Sequence, residues 1–179
     1  MSVWPNEWAP LSENILTKLS KLKMVIFDVD GVFTDGTILR DEEGNEQRRF
    51  SVLDGHGTSR LREIGILVGV VSREPSEITK SRMEKLKLDE IHVGSKDKSV
   101  TLKEIIKRRN LDANQVAFMG DDIPDLAAFS EVGIKLAPSN AQPQILEKAD
   151  WVSNASGGNG AVREACEVII YAIEAPIEQ

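Results

Sequence analysis

Met24-Val25-Ile26-Phe27-Asp28-Val29-Asp30-Gly31 is the stretch that decides the fold. Its first four residues are an unbroken apolar run, the pattern of a short strand covered on both faces. A strand with one wet face would alternate instead. Two aspartates and a glycine follow at once, where such a strand must end.

Outward from this stretch the pattern repeats. Apolar runs at 66–71, 91–93, 116–119, 132–136 and 151–152 predict further strands. Helical patterns lie between them. Ser76 caps one carrying Ile78, Met83 and Leu86, and Ser99 caps one carrying Leu102, Ile105 and Ile106. The clearest helix is the last, with Val162, Ala165, Cys166, Ile169, Ile170 and Ile173 on one stripe. Strands alternating with helices predict an α/β fold: a Rossmann-like parallel sheet with helices on both faces. One segment breaks the alternation. Residues 37–40 and 46–51 flank Asp41-Glu42-Glu43-Gly44-Asn45 and read as a β-hairpin. In open α/β sheets ligands bind beyond the carboxyl ends of the strands, so this hairpin is expected as a flap beside the ligand.

The 179 residues fit one domain, assigned to 21–179, with 1–20 as an N-terminal extension. In that extension Trp4 and Trp8 precede an amphipathic piece with Leu11, Ile15, Leu16 and Leu19, expected to pack on the domain surface. Seven net negative charges argue against a nucleic-acid partner and against an anionic membrane. The single cysteine, Cys166, excludes an intramolecular disulfide and fits a reducing compartment. The start of the chain lacks a basic, apolar signal pattern, and no run of about 18 apolar residues occurs, so the cytoplasm is the expected location.

The chemistry sits in two acidic clusters. Asp28-Val29-Asp30-Gly31 follows the first predicted strand, and Gly120-Asp121-Asp122-Ile123-Pro124-Asp125 follows the strand at 116–119. A parallel sheet puts both at one edge. Five carboxylates there repel one another unless a cation sits among them, and oxygen-only ligands suit Mg²⁺. Ser72 ends another predicted strand and can donate to a phosphoryl oxygen, while Lys98 can neutralise its charge.

These residues, in this order, resemble the haloacid dehalogenase-like phosphatase superfamily over about 22–172. The D-x-D-G motif falls on Asp28, Asp30 and Gly31, the second-strand hydroxyl on Ser72, the lysine on Lys98, and G-D-D-x-x-D on Gly120, Asp121, Asp122 and Asp125. The resemblance implies a phosphomonoester hydrolase. Asp28 attacks phosphorus to give an aspartyl-phosphate, and Asp30 protonates the leaving oxygen and then activates water. It implies Mg²⁺ held by the side chains of Asp28 and Asp121 and the carbonyl of Asp30, with Asp122 supporting the metal's waters. Ser72 and Lys98 bind the phosphoryl group, and Asp125 orients Lys98. The intervals 31–72 and 73–98 are too short for the cap domain of larger members. D-V-D-G-V-F-T-D-G at 28–36, D-G-H-G at 54–57 and G-G-N-G-A-V-R-E at 157–164 resemble the capless, tetrameric group acting on 3-deoxy-D-manno-octulosonate 8-phosphate and on nine-carbon sialic-type sugar acid phosphates. That group implies a homotetramer.

Three positions depart from the octulosonate enzymes: Asn159 where they have arginine, His56 where they have an aromatic residue, and Glu74-Pro75 where lysine follows the arginine matching Arg73. Arg73, Gly31, His56 and Arg60 are the candidates for contact with the small phosphorylated substrate. For Arg60, Arg82 and Arg163, surface ion pairs are the stronger expectation. Gly157, Gly158 and Gly160 fit a tight connection better than an anion site. Two other classes compete. A phospho-acceptor signalling module shares the acidic cluster and lysine but lacks the D-x-D pair, and a phosphomutase of the same superfamily would need a cap.

Overall fold

The computed structural model describes residues 11–174. The chain enters through α1 (Glu13–Leu19) and turns into β1 (Met24–Phe27). A hairpin of β2 (Leu39–Arg40) and β3 (Glu46–Gln47) follows, then α2 (Val52–Glu63), β4 (Leu67–Ser72), α3 (Glu77–Lys85) and β5 (Glu90–Val93). The second half runs α4 (Lys98–Arg109), β6 (Val116–Met119), α5 (Leu126–Phe129), β7 (Ile134–Ala137), α6 (Pro143–Leu146), β8 (Trp151–Val152) and α7 (Ala161–Glu174).

Six strands form one parallel sheet in the order β5-β4-β1-β6-β7-β8. From β1 the chain steps outward to β4 and β5, then crosses back to β6 on the other side of β1. The connections reverse direction there, and such a switch point opens a crevice at the strand ends. The period of two along β1 sorts its side chains. Val25 and Phe27 join the core under α1, α2 and α7, while Met24 and Ile26 join the core under α4, α5 and α6. All four are fully buried, as the unbroken apolar run predicted. No insertion among the described residues is large enough for a cap domain.

Several local expectations are corrected. Strand β4 covers 67–72 instead of 66–71, because the Ile66 N–H closes the end of α2 on Leu61 O. Strand β7 begins at Ile134, since Gly133 N–H bonds Ala113 O below the sheet. Asp97, not Ser99, caps α4 through Val100 N–H, and the Ser99 hydroxyl instead bonds Glu131 at 2.7 Å. Helix α3 buries Thr79 and Met83 and leaves Ile78 outside. The hairpin ladder is only two pairs long, Leu39 with Gln47 and Arg40 with Glu46. Beyond it the chain is drawn back to the body, where Ser51 caps α2. Ile15 and Leu19 of α1 are buried in the core beside α7. Trp4 and Trp8 lie outside the described residues.

Asp54 in α2 is the acid most at odds with its surroundings away from the strand ends. It is fully buried and accepts from the Arg163 N–H at 2.9 Å in the first turn of α7, while its Oδ2 has no partner. Burial raises its pKa to about 6, against the pull of the Arg163 and Gly160 amides. A carboxyl with a raised folded pKa holds its proton longer in the fold than in the open chain. Its contribution is therefore present below about pH 4 and lost as pH rises through about 6, a change of order 2–3 kcal/mol. Asp54→Asn keeps the acceptor for Arg163 and removes the titration. Its melting temperature should match the wild type near pH 4 and exceed it at pH 7.5, by calorimetry at both values.

Candidate active site

Strands β1 and β6 are neighbours in register, Phe27 beside Met119, and the Asp28 N–H donates to Met119 O at 2.9 Å. The two acidic loops therefore leave the sheet side by side. Gly31, at φ +87°, lets them touch, since a Cβ there would lie 2.0 Å from Asp121 Oδ2. Lys98 opens α4 and reaches between them. Its Nζ stands 2.9 Å from Asp28 Oδ1 and 2.5 Å from Asp125 Oδ1, over the Phe118 ring at 5.8 Å. The second oxygen of Asp125 accepts from the backbone N–H groups of Asp121 and Asp122, at 3.0 and 3.3 Å. One carboxylate thus fixes both the lysine and the second acidic loop.

Carboxylate oxygens of Asp28, Asp121 and Asp125 lie within 4.8 Å of one another, and a single lysine faces them. Burial pushes the Asp28 carboxyl up to about 8, with the charge of Asp125 adding and Lys98 opposing. Asp121 rises to about 7, again by burial first and the Asp125 charge second. Burial disfavours the Lys98 charge, but Asp28 and Asp125 outweigh it and its pKa is raised. The cluster therefore carries more negative charge than its lysine can offset.

The residues fit a divalent cation. Asp125 spends both oxygens on Lys98 and on backbone amides, so Asp28 and Asp121 are the carboxylates left to bind one. Asp121 Oδ1 is buried with no hydrogen-bond partner, an orphan acceptor that a cation would satisfy. An all-oxygen donor set with few protein ligands suits Mg²⁺.

Around this cluster lies an open crevice of about 560 Å³. Asp28, Asp30, Ser72, Arg73 and Lys98 all line it, so the fold brings together the residues singled out for chemistry. Glu74 lines it too. Asp122 caps the short turn Ile123–Asp125, accepting from Ile123 N–H at 2.7 Å. His56 and Arg60 do not reach the crevice within this chain. His56 is on α2 instead of a loop and faces solvent, and Arg60, one turn later, is ion-paired with Glu167 of α7. Arg163 also pairs with Glu167, and Arg82 donates to Ser51 O. The Gly157–Gly158 turn packs on the catalytic loop. A Cβ at Gly157 would fall 1.9 Å from Gly31 O, and Asp54 already takes an amide at the start of α7. The tight-connection reading holds there.

Three further residues shape the site. Arg48, at the exit of the hairpin, is ion-paired with Asp30 at 2.7 Å. Asn140 bridges Gly31 O, at 3.3 Å, and the Gly157 N–H, at 2.7 Å. Thr34 Oγ1 is buried and accepts from the N–H groups of Gly31 and Gly36. The partners of Arg48 and Asn140 are distant in the chain, and only folding brings them together.

Known proteins share this architecture. The 3-deoxy-D-manno-octulosonate 8-phosphate phosphatase of Yersinia pestis is 32% identical over 165 residues, 92% of this chain and 88% of that protein. A crystal structure of that phosphatase from Yersinia pestis superposes with a TM-score of 0.90, covering 92% of this chain and 89% of the other. The Moraxella catarrhalis enzyme, solved with magnesium, phosphate and a KDO molecule, is 34% identical with a TM-score of 0.87, covering 90% and 93%. A cobalt-bound phosphatase of the same kind from Haemophilus influenzae is 35% identical with a TM-score of 0.84, covering 87% and 91%. The sequence pattern of haloacid dehalogenase-like hydrolases matches residues 69–164, from β4 through Lys98 and Asp121 into the first turns of α7, and the chain belongs to that family.

Proposed function

We propose that this protein is a Mg²⁺-dependent phosphomonoester hydrolase working through an aspartyl-phosphate, with 3-deoxy-D-manno-octulosonate 8-phosphate as its substrate. The observation that carries the reading is Asp28 at the head of an open crevice, 2.9 Å from Lys98 and beside the unpartnered oxygen of Asp121. Asp28 attacks phosphorus as the ester P–O bond breaks, and Asp30 delivers a proton to the departing oxygen. Asp30 then takes a proton from water, whose oxygen attacks the same phosphorus and frees Asp28 and phosphate. Lys98 and Ser72 hold the phosphoryl oxygens, and Asp125 holds Lys98. The side chains of Asp28 and Asp121 and the carbonyl of Asp30 would hold Mg²⁺, whose positive charge would offset that of the anionic nucleophile and phosphoryl group. Asp122 supports its waters.

The substrate assignment rests on the relatives. One departure from the octulosonate pattern makes a nine-carbon sialic-type sugar acid phosphate the second substrate to compare. Glu74 brings a carboxylate to the rim beside Arg73, where the octulosonate enzymes have lysine. Arg73, which lines the crevice, is the residue proposed to meet the sugar acid's carboxylate. Phosphate release from the two sugar acid phosphates, compared side by side, decides between them by kcat/KM.

Ile38 and Leu39 on the hairpin and Val52 and Leu53 at the start of α2 are exposed, Val52 at 80%. Phe50 is partly buried against its own core. A two-stranded hairpin is marginal alone in water, and pairing with hairpins of other copies would cover this surface. The reading is a homotetramer in which a neighbour closes the uncapped site. The composition assigns it to the cytoplasm, and no helix among the described residues is long and apolar enough to cross a membrane.

Asp28→Asn should lower kcat at least ~10³-fold with an unchanged melting temperature, since shape is kept and the attacking charge is lost. Asp30→Asn should slow turnover and accumulate phosphoenzyme, read by acid quench with labelled substrate. Near-normal turnover by Asp28→Asn would end the mechanism.

Added Mg²⁺ should raise the melting temperature of chelator-stripped protein more at pH 8 than at pH 6. Protons compete for Asp28 and Asp121, whose pKa values are raised to about 8 and about 7. An equal shift at both pH values would mean that these carboxylates do not bind the ion.

Leu39→Glu combined with Val52→Glu should convert a tetramer to smaller species by light scattering and lower kcat/KM. Substitution is the better probe than deleting the hairpin, because deletion would also remove Arg48. A monomeric, fully active wild type would rule out the assembly.

A further inference from the structure

Arg48 is spent in an unusual way. Its side chain is fully buried, yet only one of its three nitrogens has partners. Nη1 lies 2.7 and 3.0 Å from the two oxygens of Asp30 and 3.1 Å from Thr79 Oγ1. Nε and Nη2 are buried without a hydrogen bond, and Glu46 Oε2 lies 4.0 Å from Nη2. An arginine kept for stability would be expected to use its fork, with two parallel N–H bonds to one carboxylate. This one leaves two donors unsatisfied in order to present Nη1 to Asp30.

Asp30 needs such a partner. It lies three residues beyond β1, on a loop, with its side chain 29% exposed in the crevice. Among the described residues Arg48 is the one group hydrogen-bonded to its carboxylate. A carboxylate that must meet the leaving oxygen in one step and a water in the next gains from a fixed direction. Arg48 is itself fixed by three segments. It comes from the hairpin exit, faces the catalytic loop, and rests on Thr79, which is buried in α3 with its N–H capped by Ser76.

We propose that Arg48 is a positioning residue for Asp30, and that through it the flap and α3 set the direction of proton transfer. This rests on the phosphatase reading and on the role of Asp30 within it. It assigns Arg48 no contact with substrate or metal.

The test exploits leaving groups. An alkyl phosphate needs a proton at the departing oxygen, whereas para-nitrophenolate departs as a stable anion. With 3-deoxy-D-manno-octulosonate 8-phosphate, Arg48→Met should lower kcat/KM by ~10²-fold, the lower end of what a positioned acid contributes. With para-nitrophenyl phosphate the loss should stay under about fivefold, because that contribution is not drawn on. Arg48→Lys, which restores a charged donor, should recover at least about tenfold on the alkyl ester. Added to Asp30→Asn, Arg48→Met should cost nothing more, since both changes remove one function. Equal losses on the two esters, or additive losses in the double variant, would show Arg48 to be only a staple for the flap and would overturn the proposal. If Arg48→Met does not fold, Arg48→Gln carries the same comparison with the same two readings. A wild type that hydrolyses neither ester would instead overturn the phosphatase reading itself.

Discussion

Lys98 stands between Asp28 and Asp125 at 2.9 and 2.5 Å, and much of the surrounding chain is laid out to keep it there. Like charges about 4 Å apart repel by roughly 4 kcal/mol at an effective dielectric near 20. Three carboxylates against one ammonium leave the cluster over-charged, so it either holds protons, as the raised values of Asp28 and Asp121 say, or binds a cation. Lys98 takes the first share of that repulsion and fixes the position of Asp28, the proposed nucleophile. The two oxygens of Asp125 are committed to Lys98 and to the amides of Asp121 and Asp122. The same carboxylate orients the lysine and shapes the second acidic loop, so Lys98 and Asp121 are fixed relative to each other.

The loops are joined by backbone contacts more than by side chains. The Gln142 N–H donates to Asp121 O at 2.8 Å, and two residues earlier Asn140 bridges Gly31 and Gly157. Gly158 N–H donates to Val32 O at 3.0 Å. The loop after β7 therefore ties both acidic loops to the turn that starts α7. A main-chain network of this kind tolerates little movement. That suits a reaction in which a misplacement of about 1 Å between nucleophile and phosphorus costs orders of magnitude in rate.

Much of this was legible in the sequence because it is local. The boundaries of β1 and β6 fall where their apolar runs end, and the acidic motifs follow within one or two residues. Where two local signals compete, the sequence could not choose. Asp97 precedes α4 and Ser99 lies in its first turn, and only the bond of the Ser99 hydroxyl to Glu131 shows that Asp97 is the cap. Ile66 continues the apolar run into β4, yet its amide is claimed by α2. His56 and Arg60 lie in a glycine-marked stretch that drew attention to them, but helical phase turns one to solvent and the other to α7. Arg48 and Asn140 escaped because each acts on a partner far along the chain, 18 residues away for Asp30 and 109 for Gly31.

The division of labour between sheet and flap follows from the same geometry. Asp28, Ser72, Lys98 and Asp121 sit at the ends of central strands or the start of a helix packed on them, where the core holds the backbone still. Arg73 and Glu74 are exposed on the loop after β4, and the hairpin ladder is two pairs long. Changes at that rim can alter which sugar acid is held without disturbing the attack on phosphorus. Asp30 is the exception. It leaves the rigid edge of β1 but is held from the flap side, so it is the one chemical group whose placement depends on both the core and the rim. A flap that closes over substrate would therefore act on proton transfer as well as on access. An uncapped member of this fold can then still couple substrate recognition to chemistry.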